Sequence, residues 1–519
     1  MEVGLSSSVV TTFAVTAIVI WWCWRVLNWL WLRPKKLGRC FRELGLGGNS
    51  YRHLHGDTDE HKMMMEATSR PIILSNDIRL HAIPIYDHLV EKFCKNSFTW
   101  VGLGPEPRLN IMEPELIKEV LLKMDTFKKP IPNNPPASLL ISGVPFYDGK
   151  KWEKHRKIIN PAFHMEKFKL MVPAICLSCC EMISKWEALV LPKGLCEVDV
   201  WPYLANLAAD VISRTAFGSN YEQGKRIFSL QREQIDIIVK LIRSFYIPGW
   251  RFLPTKINRR IKKIYREVGD LLNVVINKRK EAVSEHRTDD LLGILLKSNL
   301  KEMQQQGNRE TVTLTIEEVT EECKLFYIAG QETTSVFLVW TMILLSKYPK
   351  WQDLAREEVL AVLGDKKPYF DGLNELKVVT MILYEVLRLY LPASLILRRV
   401  AKVTKLREFV LPAGVIVFVP ITALHYDPEI WGKDALEFNP ATFAEGISKA
   451  ARVEGAFLPF GGGPRICIRQ NFALMEAKIA MAVILPRFSF QLSPSYLHCP
   501  ALGLTMQPKH GAALILQKL

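Results

Sequence analysis

Phe460-Gly461-Gly462-Gly463-Pro464-Arg465-Ile466-Cys467 is the stretch on which the reading of this chain turns. It puts one thiol at the end of a glycine-rich turn, two residues after an arginine. A helix-like run, Asn471-Phe472-Ala473-Leu474-Met475-Glu476-Ala477-Lys478, follows. Glycines let a backbone pass close to a flat, bulky group. Loop amides, and those at the N-terminus of the next helix, favour a negative charge on the sulfur. The arrangement suits a cysteine held as the thiolate ligand of a haem iron, with Phe460 opening the loop and Arg465 placed to pair with a haem propionate. Taken alone, the loop is also compatible with a buried structural cysteine beside a flexible turn.

The loop resembles the cysteine loop of cytochrome P450, the haem-thiolate monooxygenases, whose pattern is Phe-Gly-x-Gly-x-Arg-x-Cys-x-Gly. One position departs from it. The glycine expected two residues after the cysteine is Arg469. A long charged side chain there could weaken haem retention, shift the redox potential or point to solvent, and the sequence leaves the three open.

Three further motifs stand in the order the resemblance requires. Ala329-Gly330-Gln331-Glu332-Thr333-Thr334 interrupts an otherwise largely apolar helical run from Cys323 to Leu345. Glycine, an acid and two threonines are locally poor helix choices, expected where function overrides packing. A threonine hydroxyl can bond the carbonyl one turn back and loosen the helix for a water. By resemblance, Ala329 and Gly330 make room beside the haem, and Glu332 and Thr333 deliver protons during oxygen activation. Glu385-Val386-Leu387-Arg388 places acid and base on one helix face and resembles the family's structural Glu-x-x-Arg pair. The family's third partner, an arginine, is Thr442 here, within Phe438-Asn439-Pro440-Ala441-Thr442-Phe443. Without it, Glu385 and Arg388 must satisfy each other and the chain beneath the haem is expected to be less tightly tied. Trp152 and Arg156 share a helix face, and Arg398 (or Arg399) follows Pro392. The resemblance makes Trp152, Arg156 and Arg398 further propionate ligands. His155 reads as a surface residue.

Composition sets the context. The chain has 519 residues, 49% of them apolar, enough for a large core. Leu5 to Leu32 is dominated by apolar and tryptophan residues, and Leu5 to Trp24 alone matches the roughly 30 Å hydrocarbon thickness of a bilayer. Trp21, Trp22, Trp24, Trp29 and Trp31 stand where an aromatic belt would lie, and Arg33, Lys35, Lys36, Arg39 and Arg42 follow. By the positive-inside rule this is a single-pass anchor with the catalytic domain in the cytosol. A formal charge of +15 is scattered in clusters without a zinc-finger or RNA-binding pattern, so no nucleic-acid partner is expected. A membrane surface and an acidic electron donor explain it better. Cys176-x-x-Cys179-Cys180 has metal-like spacing but no second ligand pair nearby, and its surroundings read as helix.

The expected architecture is mainly α with small β-sheets, the cytochrome P450 fold. Residues 5–32 form the anchor, 33–50 a basic, Pro- and Gly-containing connector, and 51–519 one haem-thiolate domain. The resemblance implies haem b, NADPH used indirectly through NADPH–cytochrome P450 reductase, cytochrome b5 as a further candidate partner, and a place in the endoplasmic reticulum membrane. The entry Leu32-Arg33-Pro34-Lys35-Lys36-Leu37 and the tail Phe488 to Tyr496 look like the plant branch that includes secologanin synthase and triterpenoid oxidases. That branch implies hydroxylation of an apolar terpenoid, triterpenoid or iridoid. Oxidative C–C cleavage, isomerisation, or an impaired membrane-tethered haem protein are the competing readings. Substrate-facing positions are expected in Pro132 to Phe146, Leu395 to Leu397 and Leu502 to Met506, with Ser244 to Trp250 dipping into the bilayer.

Overall fold

The computed structural model describes residues 7–52, 56–57, 62–64, 66, 70–74, 77–93, 95–101, 106–130, 142–192, 194–219, 221–243, 252–284, 290–304 and 313–519. Eight helices carry the argument: Ser7–Leu27 (α1), Arg33–Glu43 (α2), Gly149–Ile159 (α3), Met165–Val190 (α4), Val200–Phe217 (α5), Ile316–Lys347 (α6), Lys377–Leu389 (α7) and Gln470–Ile484 (α8). The largest sheet runs in the order Gly47–Gly48 (β1), Ser97–Val101 (β2), Glu106–Asn110 (β3), Ile416–Pro420 (β9), Leu395–Val400 (β6) and Phe127–Lys128 (β4). A second takes Phe488–Leu492 (β10), Ala513–Lys518 (β13) and Leu195–Asp199 (β5). Two hairpins, Thr404–Leu406 with Phe409–Leu411 (β7, β8) and Pro500–Leu502 with Met506–Pro508 (β11, β12), complete the strands among the described residues. The mainly helical architecture with small sheets is the one expected.

Among the described residues two helical stretches are long and apolar enough to cross a bilayer, and burial separates them. In Thr11–Glu43 none of the apolar window is buried, whereas in α6 72% of it is. Helix α6 is therefore a core helix, with its C-terminal turns from Thr334 to Leu345 covered by neighbours on every face. It starts cleanly at Thr315, whose hydroxyl accepts from the Glu318 amide at 3.2 Å while the Glu318 carboxylate accepts from the Thr315 amide at 3.2 Å. That reciprocal cap satisfies two donors the helix would otherwise strand. Helix α5 packs along α6, and α8 packs against α4, α6 and α7. In the 33–50 segment the chain is helical through α2, which buries Pro34, Leu37, Gly38 and Phe41.

Beneath α8 the framework is tied by one buried pair. Arg388 and Glu385, 2% and 0% exposed, meet through two bonds of 2.8 and 2.7 Å. Arg388 also donates to the carbonyls of His425 at 3.0 Å, Glu437 at 2.9 Å and Ala435. The Asn439 amide donates to Glu385 at 2.9 Å. The segment from Ala435 to Asn439 is thus held by its own backbone, in place of the arginine that Thr442 replaces. A buried pair of this kind is stable only because its remaining hydrogen-bonding capacity is used.

His425 extends the tie to the cysteine loop. Its Nε2 accepts from the Leu458 amide at 3.0 Å, so the proton sits on Nδ1, which donates to the Arg388 carbonyl at 3.2 Å. Burial, helped by the Arg388 charge, pushes the imidazole down to about 3. Between pH 6.5 and 3 the unfolded chain binds a proton that the folded chain refuses, so stability is complete above pH 6.5 and falls with pH below it. The expected loss from this group is about 1.4 kcal/mol per unit below pH 6. Urea midpoints at pH 7 and pH 5 should show it, and His425→Gln, while less stable at pH 7, should flatten the dependence; an unchanged slope would refute the assignment.

Candidate active site

The cysteine loop folds back on itself because two of its glycines take backbone angles closed to other residues. Gly461 has φ 73° and Gly463 φ 65°, the left-handed region. A Cβ on Gly463 would also stand 2.8 Å from the Leu121 carbonyl oxygen. The loop closes when the Cys467 amide donates to the Phe460 carbonyl at 2.9 Å, and α8 begins three residues later. Cys467 is exposed, yet burial is the main influence raising its thiol pKa. A side chain in a recess walled by protein satisfies both. The amides of Arg469 and Gln470 and the charges of Arg469 and Arg156 act against burial and favour the thiolate.

Beside the loop lies a concentration of buried positive charge. Arg465 donates to the Tyr147 carbonyl at 2.8 Å, pairs with Asp148 and stands 4.7 Å over the Trp152 ring. Its Nε has no partner among the described residues. Arg398, 3% exposed, is pulled down to about 10 by burial and then by the Arg465 charge. Lys129 is pulled down to about 7 by burial and by the charges of Arg398 and Arg465, with Asp148 opposing. Three cations therefore share one carboxylate. A group carrying two carboxylates would balance them, and the two propionates of haem fit that charge. Strand alternation separates Arg398 from Arg399: on β6, Arg398 faces the buried side and Arg399 is only half-buried. Lys129 escaped the sequence reading. It stands beside another lysine ahead of a proline, and only packing gathers it with Arg398 and Arg465.

Arg156 occupies the other side of the loop, donating to the Ile466 carbonyl at 2.9 Å. Trp152 is buried and lies against Arg465. His155 is not on the surface. It is fully buried, with Nδ1 2.7 Å from Glu322 and Nε2 3.3 Å from Glu318, and so ties α3 to the start of α6. Its place at the buried stripe of a short, highly charged helix was masked by the charges around it.

On α6, Thr333 donates to the Ala329 carbonyl one turn back at 2.7 Å. Ala329, Glu332 and Thr333 are half-buried on a helix whose later turns are wholly buried. Glu332 accepts from Thr505 at 2.7 Å and from Gln507, so the hairpin β11–β12 reaches the acid. Leu395 to Leu397 are half-buried on β6. Of the expected substrate-facing loops, residues 132–141 and 244–250 lie outside the described residues. An open groove of about 620 Å³ between Leu189, Val198 and Tyr203 shares no residue with this site.

Arg469 does not point to solvent. It is 7% exposed and reaches across to α6, where a Cβ on Gly330 would meet its Nη1 at 2.2 Å and Ile212 at 3.0 Å. The face of Gly330 is thus filled from the cysteine-loop side. Arg469 Nη2 is 4.0 Å from Glu476, but Nε and Nη2 of the arginine and both Glu476 oxygens lack hydrogen-bond partners among the described residues. Burial pushes Glu476 up to about 8, against the pull of Arg469, and burial lowers Arg469. The pair attracts without hydrogen-bonding, the arrangement in which desolvation outweighs attraction.

The cytochrome P450 family model matches residues 81–514. Cytochrome P450 72A397 of Kalopanax septemlobus is 54% identical over 96% of each chain. The 7-deoxyloganic acid hydroxylase of Catharanthus roseus is 50% identical over the full length of both. Secologanin synthase 2 of the same plant is 48% identical over 97% of this chain and 96% of its own.

At pH 7 Glu476 is largely protonated, so removing the arginine's charge while keeping its bulk leaves no stranded anion. Arg469→Met should raise stability by about 1–3 kcal/mol, read as a higher denaturation midpoint with equal or higher haem content per polypeptide. A fall in both would show that the guanidinium stabilises this core.

Proposed function

The chain belongs to the cytochrome P450 family, and from that premise we propose that it hydroxylates an apolar plant terpenoid while anchored to a membrane by α1. The observation that carries the reading is the joining of Cys467, at the end of a closed loop, to a cationic cluster with charge for two carboxylates. Membership makes the protein a monooxygenase with a cysteine-ligated haem. The names of its relatives, one a hydroxylase of 7-deoxyloganic acid and another a secologanin synthase, support an iridoid or triterpenoid substrate.

Haem held here supplies the oxygen-activating chemistry. The chain's own residues do the rest. Cys467 provides the thiolate, with the Arg469 and Gln470 amides favouring its charge. Arg465, Arg398 and Lys129 would hold the two carboxylates of haem, Trp152 lies against Arg465, and Arg156 steadies the loop through Ile466. The Thr333 hydroxyl bonds the Ala329 carbonyl one turn back, which loosens the helix there for a water. Glu332, next to it, is the proton source. Electrons arrive from NADPH through a membrane-bound reductase on the basic face, at the endoplasmic reticulum, with the domain cytosolic. The anchor reading is supported by exposed Phe13, Ile18, Ile20, Trp21, Trp22 and Trp24 and by Arg25 and Lys35, which stand 5.0 and 4.3 Å over Trp21 and Trp31, as at a bilayer interface.

The test is a reduced carbon monoxide spectrum followed by mass spectrometry of products from a panel of iridoids, diterpenoids and triterpenoids, with reductase and NADPH. The parent should show the thiolate-ligated band and Cys467→Ala should lose it; a band that survives refutes the ligand assignment. An unchanged mass would favour isomerisation, and a product with a split carbon skeleton would favour oxidative cleavage.

Thr333→Ala should keep haem and substrate binding but raise hydrogen peroxide per product about tenfold, since positioned proton transfer contributes on the order of 100-fold or more. Parent-like coupling would remove Thr333 from the relay.

A further inference from the structure

Glu332 is held from outside its own helix. The Thr505 hydroxyl donates to its Oε1 at 2.7 Å, and the Gln507 amide donates to the same oxygen. Gln507 also donates to Thr505 Oγ1 at 3.3 Å, so the two donors form one unit. No described residue donates to Oε2.

The hairpin that supplies them is fixed at one end and open at the other. The Trp340 indole donates to the Met506 carbonyl at 2.7 Å, and the Met506 amide donates to the Pro392 carbonyl at 3.1 Å. Met506 is thus pinned between α6 and the end of α7. Thr505 beside it is 2% exposed, whereas Gly503 and Leu504 at the tip are exposed. Thr333, meanwhile, spends its hydroxyl on Ala329. The acid and the hydroxyl are therefore positioned by different parts of the fold.

We propose that Thr505 and Gln507 are positioning residues for proton delivery: they bind Glu332 through Oε1 and leave Oε2 as the oxygen that exchanges protons. The proposal rests on the proton-source reading of Glu332. Two donors on one carboxylate oxygen fix the plane of the group. A freed carboxylate would rotate, and the proton would arrive late or at the wrong atom. Because the donors sit on a hairpin whose tip is exposed, the hairpin's seating sets the acid's orientation.

The test compares Thr505→Val, which keeps shape and loses the donor, with Thr505→Ser, which keeps the donor, and adds Gln507→Leu, all in the full-length holoprotein. With the panel compound that yields most product, Thr505→Val and Gln507→Leu should release about three- to tenfold more hydrogen peroxide per product, the range expected for one lost hydrogen bond. Thr505→Ser should restore the parent ratio. Independently of turnover, Thr505→Val should lower the urea midpoint in the parent and leave it unchanged in a Glu332→Ala background.

Parent-like peroxide ratios in Thr505→Val and Gln507→Leu, with Glu332→Ala uncoupled, would overturn the hairpin's role and leave the relay intact. A coupled Glu332→Ala would overturn the relay reading and this proposal with it. Additive midpoints would show that the Thr505–Glu332 bond is not formed in solution.

Discussion

The bidentate pair between Glu385 and Arg388 is the contact on which the cysteine loop depends. Both partners are out of water, so each must use its whole hydrogen-bonding capacity or destabilise the core. Arg388 meets that demand with three backbone carbonyls beyond α7, and Glu385 with the Asn439 amide. Those contacts fix His425, and His425 fixes the Leu458 amide just ahead of the glycine turn. The chain of contacts from α7 to Phe460 is continuous.

The site built on this frame is one of opposed charge. The loop sets helix-end amides and two arginines against the cost of burying a thiolate. Across from it, Lys129, Arg398 and Arg465 crowd around Asp148 alone, an arrangement that costs stability until anions arrive. A framework that gathers like charges in the absence of ligand gains most from binding a dianionic group. Arg469 carries a cost of its own: its charge is buried toward α6, where Glu476 offers attraction without a hydrogen bond.

The separation of Glu332 from Thr333 has the same logic. Neighbouring residues on a helix point about 100° apart, so one contact cannot orient both. The fold uses a turn of the helix for the hydroxyl and a distant hairpin for the acid.

Much of this was legible in the sequence because it is local. The apolar N-terminal helix, the apolar run of α6 with its polar interruption, the glycine turn before Cys467 and the acid–base spacing of Glu385 and Arg388 all follow from residue type and short-range spacing. What depends on distant chain segments meeting was not. Lys129 stands about 270 and 340 positions from Arg398 and Arg465, and only the junction of β4, β6 and the loop brings them together. The destination of Arg469, the burial of His155 between two glutamates and the use of backbone to replace the arginine at Thr442 were likewise decided by packing. A hydrogen bond can be satisfied by any donor the fold delivers, so the sequence named the groups needing partners, and the tertiary structure chose which partners they found.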